Sequence, residues 1–170
     1  MSVREQVLFC SDAEPYDQAR AVAELIGADI VAHPTMVEVL MPTSRLLPHV
    51  DGQFGGPLVS RDAEWPYRPA GEWEAGDAYK LEWRLWQAPG ARLDASSGAD
   101  LEFVAASAVF DQLAAGLLVP MLHIHRTDRL VAAFHPDHGL RRFAEDVTIY
   151  DWDEAAWGQW VCPRPTVHER

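Results

Sequence analysis

The chain has 170 residues, with 26 acidic side chains against 14 basic ones and a formal net charge of -12. That length suits one domain with a sizeable core, and 48% hydrophobic with 24% charged residues excludes a disordered chain. The acid surplus excludes nucleic acid as the ligand, because phosphates need clustered Lys and Arg; the one adjacent basic pair is Arg141-Arg142.

In chain order, Ser2-x-x-Glu5 has a capping-box pattern, and residues 3–9 fit either a short first helix or an edge strand. Ser11-x-x-Glu14 repeats the pattern, with Pro15 where an early helical turn tolerates it. Tyr16, Ala19, Val22, Ala23 and Ile26 then recur at helical spacing until Gly27 stops the helix. Residues 30–32 and 37–41 read as two strands around His33-Pro34-Thr35. Residues 42–77 are rich in Pro and Gly without periodicity and read as one long functional loop. Its stretch 51–57 resembles a turn rather than a phosphate cradle, since the Lys-Ser/Thr ending is missing and Pro57 lacks an N–H.

Residues 79–86 alternate, with Leu81, Trp83 and Leu85 on one side, which is a half-buried strand. After the break at 95–98, Ser97 or Asp100 caps a helix running to about Ala115. It offers Phe103, Val104, Ala108, Phe110, Leu113 and Leu117 for packing, with Gly116 just past its end. Residues 118–125 and 130–135 form a hairpin around 126–129. Residues 147–150 make a further strand, and Asp151 or Asp153 caps a last helix over 154–161. The whole is α+β, a largely antiparallel sheet with helices packed on one face, in a single domain over 1–162. The tail 163–170 is expected to be loose.

The two cysteines, Cys10 and Cys162, lie far apart, and no apolar leader region begins near Ser2. The longest apolar run, 117–121, is too short for a bilayer. A soluble cytoplasmic protein with both thiols reduced is expected. Lys80 is the sole lysine, a bias that fits a GC-rich genome.

Four histidines cluster: His123, His125, His135 and His138. His123 and His125 share a strand face. A two-residue turn at Thr127-Asp128 would set His125 opposite Leu130 and His123 opposite Ala132. A metal would need a third ligand, from His135, Asp137 or His138. With two ligands on a face and no assured third, the expectation is no metal and no cofactor. The alternative is a small-molecule or metal-dependent enzyme site built on His123, His125 and His135. No Gly-x-Ser-x-Gly elbow is present, and Cys10 and Cys162 lack an activating neighbour. The absence of a recognisable motif favours a non-enzymatic protein over an enzyme, and no catalytic residue is assigned.

Seven tryptophans are present. Trp83 reads as core, and Trp157 and Trp160 dock the last helix. Trp65 and Trp73 instead lie in an irregular acidic stretch. Aromatic anchors among acids are what a protein interface uses, so Glu64, Trp65, Tyr67, Glu72, Trp73, Glu74 and Asp77 form the candidate partner-binding set. The competing reading folds this loop back so that its rings cover the sheet.

A small, acidic, cysteine-poor chain with no intact catalytic motif and an acidic aromatic segment at 64–77 resembles the immunity proteins that bacteria make against polymorphic toxins. The resemblance implies a cytoplasmic inhibitor that binds a basic-surfaced toxin enzyme and occludes its active site, without a nucleic-acid or membrane partner.

Overall fold

The computed structural model describes residues 5–40, 54–61, 74, 75, 79, 81–87 and 101–162. Among the described residues eight strands form one antiparallel sheet in the order β2-β3-β4-β5-β1-β6-β7-β8. They are β1 Glu5–Phe9, β2 Asp29–Ala32, β3 Val37–Leu40, β4 Phe54–Arg61, β5 Leu81–Gln87, β6 Met121–His125, β7 Arg129–His135 and β8 Gly139–Arg142. Among the described residues three α-helices accompany them: α1 Pro15–Ile26, α2 Leu101–Gly116 and the short α3 Glu154–Trp157. The fold is α+β, with α1 over β2–β4 and α2 over β1, β5 and β6 on one face of the sheet.

The N-terminal strand lies centrally, between β5 and β6. The chain leaves it through α1 for the far edge at β2, and α2 returns it to the other side of β1. Glu5, Val7 and Phe9 are buried and alternate with the less buried Gln6 and Leu8. Pairing with β6 extends that row, because residues directly opposite share a face. Leu81 and Met121 flank Phe9, Trp83 and His123 flank Val7, and Leu85 and His125 flank Glu5.

Helix α1 begins with Pro15 in its first turn and ends at Gly27, whose φ of 68° is the left-handed conformation that glycine adopts without Cβ strain. Ala19, Val22, Ala23 and Ile26 are its buried stripe, spaced three or four apart. With Phe110 and Leu113 of α2 they close over Val7, Phe9, Val37, Val39 and Met121. Side chains of β6 alternate to the other face, where Leu122 and Ile124 meet Ile149, Trp157, Val161 and Cys162. The central strands are thereby covered on both sides, which explains why every residue of β6 is buried.

Several sequence expectations need correction. Residues 51–57 do not form only a turn, since β4 starts at Phe54. Its pairing with β5 shifts register between Gly55 and Leu58, so Pro57 sits at an irregularity where a missing N–H breaks no ladder bond. Residues 147–150 form no continuous strand but two isolated bridges, Thr148 to Arg129 and Tyr150 to Glu74. A 3-10 turn, Asp151–Asp153, precedes the last helix, which spans only Glu154–Trp157. Strand β8, Gly139–Arg142, is a further element that the sequence reading does not include. Among the described residues no helix is long and apolar enough to cross a membrane.

Candidate functional site

Two arrangements of polar and aromatic side chains stand out, one inside the helix face and one on the surface beyond the other face. The inner one centres on Glu5. Its side chain is wholly buried, as is that of His123, and His125 is 8% exposed. Because Glu5 sits directly opposite His125, with His123 two residues along, one carboxylate reaches both rings. His123 Nε2 donates to Glu5 Oε2 at 2.7 Å, and Glu5 Oε1 pairs with His125 Nδ1.

Helix α2 forms the roof. Phe103 lies edge-on to His125 at 5.0 Å and stacks on His123 at 5.9 Å, while Phe110 stacks on His123 at 5.7 Å. The Arg129 guanidinium lies 5.5 Å from the Phe103 ring centre. Burial pushes the His123 pKa down to about 4, helped by the positive charges of Arg142 and Arg129 and opposed by Asp111. A neutral His123 that carries its proton on Nε2 and hydrogen-bonds Glu5 through it keeps an acceptor at Nδ1. That atom is buried without a hydrogen-bond partner among the described residues.

The alternative metal set of His123, His125 and His135 is not brought together. Phe134 packs under the helices and Ala133 on the other face, so alternation turns His135 away from His123. His135 instead meets His138 at 5.1 Å, and His138 meets Trp160. Among the described residues no three His, Cys, Asp or Glu side chains are grouped to hold a metal. Glu5 itself was read only as part of a capping box. The signal that marks it is a charge in the same alternating row as Val7 and Phe9.

The surface arrangement includes one of the seven candidate partner-binding residues. Glu74 bridges to Tyr150, and the Ala75 N–H donates to the Ile149 carbonyl at 2.6 Å. Glu64, Trp65, Tyr67, Glu72, Trp73 and Asp77 lie outside the described residues. Tyr150 in turn packs against Trp152 with ring centres 4.5 Å apart. Trp152 is 71% exposed, and Asp146, Asp151 and Glu154 are exposed beside it in sequence.

This corner is held from beneath. Asp153 Oδ2 accepts from the Thr148 N–H at 2.8 Å and from the Thr148 hydroxyl at 2.5 Å. Trp157, 1% exposed, donates from Nε1 to the Thr148 carbonyl at 3.1 Å. Trp152 was not singled out from sequence, although the Tyr150-Asp151-Trp152-Asp153-Glu154 run carries the same acid–aromatic mixture as 64–77. The chain matches no protein-family model, no curated protein and no solved structure.

Proposed function

We propose that this is a non-enzymatic protein-binding module of the immunity type, which neutralises a basic-surfaced toxin enzyme by covering its active site. The observation that carries the reading is Trp152, an exposed ring stacked on Tyr150, flanked by Asp151 and Glu154 and joined through Tyr150 to Glu74. A large ring held rigidly among acids combines an anchor with electrostatic selection for a cationic partner. The net charge of -12 adds long-range steering toward such a surface. Of the partner-binding residues read from sequence, Glu74 reaches this corner through its bridge to Tyr150, which supports including it in the same interface.

The test is capture from the source cell followed by inhibition. Wild-type chain should retain a basic protein that the Trp152→Ala chain does not, and adding wild-type chain should suppress that protein's enzymatic activity. Equal capture by both chains, or capture without inhibition, contradicts the reading.

A second reading is supported by the partnerless His123 Nδ1 beside Glu5: a small-molecule site under α2. Ligands that raise the thermal midpoint of wild type but not of His123→Gln would favour it.

A further inference from the structure

Cys10 and Cys162, 152 positions apart, meet on the sheet face away from the long helices. Cys10 follows β1, and its N–H donates to the Pro120 carbonyl at 2.9 Å, which fixes it beside the start of β6. Cys162 ends the segment that crosses the same face and packs with Trp157 and Val161 against Leu122 and Ile124. Both cysteines belong to one apolar cluster, in which the Cys10 side chain is the largest influence on the Cys162 thiol. Tyr79 completes the group: its hydroxyl accepts from the Cys162 N–H at 3.4 Å, and it is 1% exposed. The two cysteines are not joined in a disulfide.

We propose that Cys10 and Cys162 are a modification site, a thiol pair that oxidation by a small-molecule disulfide converts into an intrachain bond tying β1 to the C-terminal segment. Both side chains pack in one cluster, so the bond asks for a local adjustment rather than a refolding. The step balances with oxidised glutathione as oxidant. The half-buried Cys10 attacks one glutathione sulfur and expels the other half. Cys162 then attacks the Cys10 sulfur of the mixed disulfide and releases the second glutathione. One S–S bond forms and one breaks, and the two thiol protons leave with two reduced glutathione molecules.

The surroundings set the rate. The Cys10 side chain and burial push the Cys162 thiol well above its ordinary range, so thiolate is scarce at neutral pH. Formation is therefore slow, quickens with rising pH, and gives a bond shielded from outside thiols. The bond fastens the segment whose Trp157 supports Thr148, and with it the base of the Tyr150–Trp152 corner. Its formation does not depend on the partner-binding reading.

The test incubates the full chain with oxidised glutathione and reads intact mass, peptide map and thermal midpoint. Expected are a chain lighter by two hydrogens, a linked Cys10–Cys162 peptide, and a midpoint higher by on the order of 5 °C that reductant reverses. Cys10→Ser should abolish both the linked peptide and the rise. If that variant does not fold, the wild-type peptide map and midpoint decide alone. Glutathione adducts without the linked peptide, a bond between two chains, or a lowered midpoint would each overturn the proposal.

Discussion

Glu5 and His123, 118 positions apart in sequence, share a 2.7 Å hydrogen bond in a fully buried setting where His125 holds the other carboxylate oxygen. The bond ties the first strand to the sixth at the centre of the sheet. Removing the carboxylate leaves two buried imidazoles without their partner. Glu5→Ala should lower unfolding free energy by about 3 kcal/mol, and Glu5→Gln, which keeps one acceptor, by less. Urea denaturation of the two variants checks the order; equal or negligible losses would show that the cluster contributes nothing to stability.

The same cluster makes stability depend on pH. His123 titrates near 6.5 when unfolded but is held down to about 4 in the fold. Between those values the unfolded chain binds the extra proton and the folded chain does not. Stability from this group is therefore complete above pH 6.5, falls as pH drops toward 4, and changes no further below. The loss is on the order of 3 kcal/mol across that window. His123→Gln should flatten the wild-type slope there, measured by denaturation at several pH values. An unchanged slope would contradict the assignment.

Much of the architecture was legible from sequence because it rests on local signals. Pro15, the stripe from Ala19 to Ile26 and Gly27 define α1 within a residue. The β6–β7 hairpin was legible too, and His123 does face Ala132. Its turn differs: Arg126 takes a φ of 64°, three residues turn the chain, and His125 faces Arg129. A bulge after His123 restores the expected partner. Strand β1 was ambiguous because Val7, Leu8 and Phe9 are all apolar, as a strand covered on both faces requires. Strand β4 was hidden by Gly55-Gly56-Pro57, which reads as a turn and is an irregularity within the pairing. The Glu5 cluster was invisible because both its partners lie more than a hundred residues away, and no spacing rule reaches that far.

Metal content follows from the sheet's alternation. With His135 turned to the face opposite His123 and His125, elemental analysis of purified protein should find no stoichiometric zinc. One zinc per chain, lost in His123→Gln, would promote the small-molecule or enzyme reading.

The charged rim should act on encounter rather than on holding. Asp151 and Glu154 are exposed, so Asp151→Asn with Glu154→Gln should slow partner association and reduce its salt dependence while leaving dissociation nearly unchanged. Kinetics at two ionic strengths read both arms. A change confined to dissociation would place these acids inside the interface rather than at its rim.

Trp152 and Trp157, five positions apart, differ sharply in burial, 71% against 1% exposed. Trp157→Ala should cost about 3–5 kcal/mol of stability, since that ring is 1% exposed and fills the far-face core. Trp152 is 71% exposed, so its loss should leave the thermal midpoint unchanged. The decisive measurement is the dissociation constant of the captured partner for wild type and for Trp152→Ala. The proposed interface requires a loss of about 2 kcal/mol, roughly thirtyfold, at constant midpoint. An unchanged dissociation constant would contradict it.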